Sequence, residues 1–192
     1  MANPETILGF WIDDIGPSGW YKSEDDLDAD IRARFEADWN EAMAGSCGLW
    51  LTSAQGALAY LILTDQFPRN MYRGTAKSFA SDGHARATAK TAIARNWDMR
   101  IPEPQRQFFY MPLVHSENLI DQDRAVRLFV TRMPETGHNN LPHARAHREI
   151  IRRFGRFPAR NAALSRPSTP AEQAWIDEGG YGRELRELAG AA

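Results

Sequence analysis

The sequence contains a single cysteine and no long apolar run. Cys47 has no second cysteine to pair with, which excludes an intrachain disulfide and fits a reducing compartment. No stretch approaches the 18 apolar residues of a membrane-spanning helix, and the first residues lack the basic and apolar regions of a signal peptide. We therefore expect a cytoplasmic protein without a membrane partner.

The sequence also lacks the patterns of strands and of the common cofactor sites. Period-two alternation is nowhere sustained, and no hairpin dipeptide lies between β-branched runs. The sequence has no phosphate-binding loop, no dinucleotide fingerprint and no nucleophile elbow. It therefore identifies no cofactor, and the cofactor is unknown.

Helical periodicity is present almost throughout. Leu27, Ile31, Phe35 and Trp39 follow one another at i, i+4 spacing, and "TPAE" at 169–172 is typical of a helix-capping box. We predict an all-α fold of antiparallel helix pairs, as a helical bundle or solenoid, in a single domain over residues 1–192.

Two apolar segments supply the predicted interior of this fold. The segment 52–67 carries Leu58, Leu61 and Ile62 as central core and is ended or kinked by Pro68. The segment 116–133 starts with a Ser116 cap and points three apolar side chains inward. These three are Leu119, Val126 and Val130.

The net charge of −2 gives no reason to expect nucleic-acid binding, but the charges are unevenly distributed. Residues 5–41 hold eleven acids against three bases, whereas residues 145–166 hold seven arginines against one acid. Guanidinium groups suit bidentate pairing with carboxylates and phosphates. The basic segment therefore either pairs within the fold or holds an anion.

The first polar cluster is "DQFPRNMYRG" at 65–74, directly after the most apolar segment. Its polar side chains are Asp65, Gln66, Arg69, Asn70 and Arg73. On a helical turn the two arginines share a face and repel each other unless an acid or a bound anion lies between them. A salt-bridged corner and a ligand site both fit this pattern.

The second polar cluster is "PLVHSENLIDQ" at 112–122. His115 and Glu117 flank the expected start of a helix, where free N–H groups favour anions. They suit a general base and its orienting acid. Complementation of the helix dipole and a packed corner are the structural alternatives.

The third polar cluster is "HARAHREIIRRFGRFPARN" at 143–161. His143 and His147 share a helical face, but the motif lacks the glutamate of a zinc-binding helix, so we predict no metal site. Arg153, Arg156 and Arg160 surround a turn and alternate with aromatic residues. Arginines buried in this way need partners.

Four phrases together resemble a bacterial family, the domain-of-unknown-function 924 family. These phrases are "GFW", "LTDQFPRNMYRGTAKSFASD", "PLVHSENLIDQ" and "HREIIRRFGRFPARNAALSRPSTPAE". The resemblance implies an all-helical fold like that of tetratricopeptide (TPR) repeats, and it implies no established activity. The residues that match family motif positions are Asp65, Gln66, Arg69, Asn70, Arg73, His115, Glu117, Gln122, His147, Arg153, Arg156, Arg160 and Asn161. His143 matches none, and Ala159 stands where members often have histidine.

Three readings of these clusters stay open. In the first, the arginines hold a small phosphate- or carboxylate-bearing molecule in a pocket shared by Arg69-Asn70 and Arg160-Asn161. His115 or His147, with Glu117 or Asp65, would then add acid–base chemistry, which leaves the question of an enzyme open. In the second, a TPR-like scaffold binds an acidic peptide. In the third, the charges form an internal ion network. The apolar "LGFW" suits a homodimer interface as well as a core.

Overall fold

The computed structural model describes residues 2–190, with the side chains of residues 2–188. These residues form helices joined by turns and loops and include no strand, which confirms the all-α prediction. The chain divides into two compact units, Met1–Pro112 and Leu113–Ala192. The single-domain assignment stays a prediction. In the described part of the chain, no helix has the length and apolarity needed to cross a membrane.

The first unit begins with a helix that changes its winding. Helix α1, Pro4–Leu8, is capped by Asn3 and continues as a π-helix, Gly9–Ile15. Helix α2, Asp25–Met43, follows after a turn. The indole N–H of Trp20 in that turn donates to the backbone oxygen of Trp11 at 2.7 Å, so a side chain satisfies a carbonyl at the helix end.

The central helix of the first unit is interrupted but does not end at Pro68. Helix α3, Ala54–Leu61, passes into a π-helical turn, Ile62–Gln66, and then into helix α4, Phe67–Met71. Leu58, Leu61 and Ile62 are buried, as the sequence predicts. Proline needs the preceding turn of a helix to open, and the wider π turn accommodates it.

Helix α5, Asp82–Ala94, and helix α6, Met111–Val114, are the remaining α-helices up to the boundary between the units. Aromatic rings fill the core of the first unit. Phe35 of α2 stacks on Phe67 of α4 with 4.8 Å between ring centroids, and Phe10 lies 5.1 Å from Phe35. The acidic helix α2 is therefore fixed through its apolar stripe.

The second unit is built on an antiparallel helix pair. Helix α7, Leu119–Arg132, and helix α8, Gly137–Phe154, are joined by a short loop. Asp123 near the start of α7 lies 3.5 Å from Arg148 near the end of α8, as antiparallel packing requires.

The start and the inward face of α7 differ from the sequence prediction. Asn118, not Ser116, caps the helix by accepting the N–H of Ile120 at 2.9 Å. Leu119 and Val130 were expected inside but are 38% and 55% exposed. Helix α7 instead buries five residues that face its neighbours, namely Asp121, Gln122, Ala125, Leu128 and Phe129. Two of these are polar, which is why apolarity alone assigned the wrong face.

Two short helices complete the second unit. Helix α9, Pro170–Asp177, begins with the predicted capping box, in which Thr169 and Glu172 bond reciprocally. Helix α10, Gly180–Gly190, packs against α8. The core of the unit is formed by Ile150, Ile151, Phe157 and Trp175.

Candidate functional site

The π turn of the central helix leaves backbone carbonyls that side chains satisfy. The hydroxyl of Ser81 donates to the Thr64 oxygen at 2.5 Å and accepts the indole N–H of Trp39 at 3.0 Å. Arg69 donates to the Asp65 oxygen at 2.7 Å. Because a π turn breaks the regular ladder, these side chains replace bonds that the helix cannot make itself. Part of the polarity of the 65–73 phrase is therefore used by its own backbone.

The charged side chains at the start of this phrase are paired within the first unit. The carboxylate of Asp65, 1% exposed, accepts the amide N–H of Gln66 at 2.5 Å and lies 3.6 Å from Arg69. Arg69 also donates to Asp82 at 3.0 Å. A guanidinium held by two carboxylates and a carbonyl satisfies the partner requirement of a buried arginine.

The later residues of the phrase converge on one acid of α2. Arg73 forms a bidentate pair with Asp28, with N–O distances of 2.8 and 3.0 Å. The amide of Asn70 donates to the same carboxylate at 2.7 Å. This pairing raises the pKa of Arg73, so the guanidinium keeps its charge. The arrangement ties α4 to α2 and fits the internal-network reading.

In the second unit, Gln122 shapes the backbone that carries His115. Its side chain is fully buried, and its amide donates to the oxygens of Val114 at 2.6 Å and Ser116 at 2.7 Å. Ser116 in turn donates its hydroxyl to Asp121 at 2.9 Å. Gln122 thus acts on the backbone on both sides of His115 and positions that residue.

Glu117 forms a clamp with an arginine that the sequence reasoning did not select. Arg166 donates to both of its carboxylate oxygens, at 2.8 and 3.0 Å, and the N–H of Phe157 donates to it at 2.8 Å. Burial alone would raise the pKa of Glu117, but these donors outweigh burial and the pKa is lower than usual. The carboxylate stays ionised and joins the start of α7 to the turn after α8.

Arg156 and Asn161 belong to a second clamp, centred on Glu172. Arg156 donates to both oxygens of Glu172, at 2.6 and 2.7 Å, and to the carbonyl of Pro167 at 2.9 Å. The amide of Asn161 lies 3.5 Å from the same carboxylate. Arg156 and the backbone N–H of Thr169 lower the pKa of Glu172 to about 2. The capping glutamate therefore also neutralises an arginine.

Arg160 lies beside the two histidines of the predicted site. Its guanidinium is 4.4 Å from the ring centroid of Phe157 and donates to the His115 carbonyl at 2.9 Å. The ring of Phe157 packs against His147 at 5.3 Å, and the rings of His115 and His147 lie 6.5 Å apart. His115, His147 and Arg160 are named the histidine–arginine cluster below. Arg153 is exposed and lies over Phe154, 4.8 Å from its ring.

The ring of His147 has a defined hydrogen-bonding state. Its Nδ1 lies 2.8 Å from the backbone oxygen of His143. A carbonyl only accepts, so Nδ1 carries the proton and Nε2 carries the lone pair of the neutral ring. Burial, assisted by His115 and Arg160, lowers the pKa of His147 to about 3, although the bond to the His143 carbonyl opposes this shift. The imidazole is therefore neutral at pH 7.

We expect acid to destabilise the protein through His147. The folded state keeps this imidazole neutral, with a pKa of about 3, whereas in the unfolded chain the pKa lies near 6.5. The unfolded state therefore binds more protons between these values. The free energy of unfolding falls as the pH drops from 6.5 towards 3, by up to about 1.4 kcal/mol per pH unit. Urea titrations of wild type and His147→Gln from pH 7 to pH 4.5 should show that the free energy of unfolding depends less steeply on pH in the variant.

The exposed His138 on the same helix supplies the control for this prediction. His138→Gln should keep the wild-type dependence on pH. If both variants show the same slope of the free energy of unfolding against pH as wild type, His147 is not the group that makes stability depend on pH.

Two further side chains near the cluster were missed or set aside. Tyr181, on α10, was not selected from the sequence, and His143 was set aside because it matches no family motif. The Nδ1 of His143 lies 2.5 Å from the hydroxyl of Tyr181, and the ring of Tyr181 lies 5.0 Å from that of His147. Burial lowers the pKa of His143 and raises the pKa of Tyr181 to about 12.

The sequence indicated Asp65, Glu117 and Asp121 as acidic partners of the arginines, and Asp65 and Glu117 are such partners. The pairs of Arg73 with Asp28 and of Glu117 with Arg166 were missed. Asp28 lies 45 residues before Arg73, and Arg166 lies 49 residues after Glu117. The spacing of residues within one helix or loop cannot predict pairs that are so far apart in the sequence. Glu172 was identified as a capping residue, but its pairing with Arg156 depends on the turn at Gly155, where φ is +70°.

The predicted site residues thus form two sets, one in each unit. Asp65, Gln66, Arg69, Asn70 and Arg73 are connected in the first unit, and the residues from His115 to Asn161 lie in the second. That both sets line one pocket stays a prediction. Among the described residues, no three histidine, cysteine, aspartate or glutamate side chains are grouped as metal ligands.

An open groove in the first unit contains none of the predicted site residues. It has a volume of about 480 Å³ and lies along α1, its π-helical continuation and α2. Its lining includes Glu5, Asp13, Asp14 and Asp38 with a single arginine, Arg34. The acidic lining is unsuited to an anionic ligand.

Fold and polar groups together define an all-α protein with ion-paired networks and one histidine–arginine cluster. Residues 7–180 match the family model DUF924, described as a bacterial protein of unknown function. The chain belongs to this family, which confirms the resemblance read from its motifs.

One solved structure has a similar fold. It is described as a protein of unknown function, ATU0120, from Agrobacterium tumefaciens. It shares 40% sequence identity with this chain and has a TM-score of 0.85, and the match covers 92% of this chain and 97% of that one. No curated protein matches the sequence significantly.

Proposed function

We propose that the protein binds a small phosphate- or carboxylate-bearing molecule at the histidine–arginine cluster of the second unit. The observation that carries this proposal is Arg160, whose guanidinium lies on the face of Phe157 and donates to the backbone oxygen of His115, while Phe157 packs against the ring of His147. A guanidinium fixed in this way is preorganised for an anion, because little side-chain entropy is lost on binding.

The other arginines of the predicted site are assigned a structural role in this proposal. Arg69, Arg73 and Arg156 each contact a carboxylate at 3.0 Å or less. An anionic ligand would have to compete with those carboxylates. We therefore assign the ligand to Arg160, which donates to a backbone carbonyl and also acts electrostatically on the Glu117 carboxylate.

The electrostatics around His147 favour an anion. His115 and Arg160 both act to lower the pKa of this ring, which means that they create a positive potential there. A bound anion cancels part of that potential and raises the pKa of the imidazole towards the neutral range. An imidazole in that range can act as a general acid or base, so the bound ligand would itself prepare His147 for acid–base chemistry.

We expect inorganic phosphate and succinate, used as probes, to raise the melting temperature of wild type. Binding to the native state stabilises it by about 2.7 kcal/mol at a hundredfold excess over Kd. Arg160→Gln should weaken phosphate binding at least about tenfold, since a charge-assisted hydrogen bond is lost. Arg145→Gln, an exposed arginine on α8, is the control and should bind as wild type does.

The same proposal predicts that a proton is taken up with the anion. Calorimetry with sulfate, which does not itself exchange a proton at pH 6, in buffers of different ionisation enthalpy should show proton uptake by the protein, and His147→Gln should abolish it. Equal phosphate affinities in wild type, Arg160→Gln and Arg145→Gln would contradict the proposal.

A TPR-like scaffold that binds an acidic peptide remains the second hypothesis. It predicts that a peptide ending in acidic residues binds much more tightly than succinate, and that high salt removes the peptide. Binding of the peptide to Arg160→Gln at unchanged affinity would place its site elsewhere.

A further inference from the structure

Helix α10 brings an aromatic side chain back over the proposed anion site. Gly179 precedes it and Gly180 is its first residue, and both have positive φ, +105° and +49° respectively. A Cβ on Gly180 would lie 3.4 Å from the ring of Trp175, so both backbone angle and space favour glycine. This turn reverses the chain after α9 and places Tyr181, the next residue, against α8.

Tyr181 contacts both histidines of α8 with different parts of its side chain. Its hydroxyl lies 2.5 Å from Nδ1 of His143, and the two rings stack with 6.2 Å between centroids. Its ring lies edge-on to His147 at 5.0 Å. His147 in turn donates Nδ1–H to the backbone oxygen of His143.

We propose that Tyr181 is a positioning residue of the anion site: its ring covers His147, and its hydroxyl holds His143. This inference rests on the proposed function for its biological meaning, since the covered imidazole is the one that would take up a proton with the anion. Helix α10 would then set the pH range over which the site binds. The inference adds Tyr181 and His143 to the site, and neither residue matches a family motif position.

The groups that act on His147 come from three directions. His143 lies on its own helix, His115 on the segment before α7, and Arg160 on the turn after α8. His115 and Arg160 disfavour a positive charge on His147, whereas the carbonyl of His143 favours it by accepting the Nδ1–H. Tyr181, from α10, contributes apolar ring surface and keeps water away from the imidazole. Removing the ring therefore weakens desolvation and leaves His115 and Arg160 unchanged, while the loss of the hydroxyl contact at His143 is reproduced by Tyr181→Phe.

Two substitutions separate the roles of the ring and the hydroxyl. In Tyr181→Phe the cover remains, so nitrogen-15 NMR should show His147 still neutral at pH 5, while the ring resonances of His143 change. In Tyr181→Ala the cover is lost, and the titration midpoint of His147 should rise by at least one pH unit. His138 is an internal control, and its titration should be the same in all three proteins.

The phosphate probe links this result to binding. In wild type and Tyr181→Phe, phosphate affinity should increase as the pH falls from 7 to 5. In Tyr181→Ala, the same increase should begin at higher pH by the amount that the His147 titration has moved. If wild type binds no phosphate, the proposed function fails, while the NMR titrations still test the role of Tyr181.

The inference is overturned if folded Tyr181→Ala titrates at His147 as wild type does. Folding is judged from the far-ultraviolet circular dichroism and from the indole resonance of Trp175. If Tyr181→Ala is not folded, Tyr181→Gln replaces it, because glutamine keeps contact with α8 but brings polar atoms to the imidazole in place of apolar ring surface. An unchanged His147 midpoint in Tyr181→Gln would then also overturn it.

Discussion

Replacing Gly56 by alanine is expected to destabilise the first unit by about 3 kcal/mol. A Cβ at this position would lie 2.1 Å from the backbone oxygen of Trp50 and 2.8 Å from its carbonyl carbon. Both are backbone atoms, so no side-chain rotation relieves the clash and helix α3 must shift. Overpacking that moves the backbone costs roughly 1–3 kcal/mol or more.

Gly83, in helix α5, is the matched control for Gly56. A Cβ there meets no atom within 4 Å. Gly83→Ala should therefore raise the free energy of unfolding by about 0.5–1 kcal/mol, because alanine is the better helix former. Urea denaturation of both variants measures the contrast. Equal stabilities would mean that α3 does not approach Trp50 as closely as described.

Replacing Glu172 by glutamine is expected to lower the melting temperature by roughly 10 °C. The side chain is 3% exposed and accepts from Arg156 and from the backbone N–H of Thr169. A glutamine of the same shape has one oxygen for these donors, so a guanidinium loses its counter-charge and the cap of α9 weakens.

The pH dependence of this effect has a defined direction. The pKa of Glu172 is lowered from 4.5 to about 2. Its contribution to stability is complete above pH 4.5 and is lost as the pH falls towards 2. Differential scanning calorimetry at pH 7 should therefore show the full difference between wild type and Glu172→Gln, and the difference should shrink below pH 4.5.

The exposed pair of Glu149 and Arg152 provides the control for Glu172. Glu149→Gln should change the free energy of unfolding by less than about 0.5 kcal/mol, as is usual for surface pairs. The double change Arg156→Met with Glu172→Met should be less harmful than Glu172→Gln, because no unpaired charge is left. A double variant that is less stable than Glu172→Gln would contradict the role of Glu172 as the counter-charge of Arg156.

Several parts of the fold could be predicted from the sequence because they depend on neighbouring residues only. The all-α class follows from apolar spacing, and the burial of Leu58, Leu61 and Ile62 follows from a continuous apolar segment. The cap at Thr169 and the end of α8 at Gly155 follow from side-chain and backbone preferences that act within a few residues. These features need no knowledge of distant residues.

Other expectations failed because competing hydrogen bonds outweigh a local preference. Ser116 has a side chain suited to capping, but it donates to Asp121, five residues later, and leaves the cap to Asn118. Pro68 suits a helix end, but the helix continues through a π turn whose carbonyls accept from Arg69 and from the distant Ser81. Only the bond from Ser81 comes from outside the segment.

The sequence by itself determined the helical class, the core segments and the presence of an arginine-rich polar cluster near two histidines. Only the tertiary structure decided which arginines are neutralised by acids and which one lies beside the histidines. Helix positions depend on neighbours within one or two turns, whereas the partners Asp28, Arg166 and Tyr181 are brought in by packing from 38 to 49 residues away.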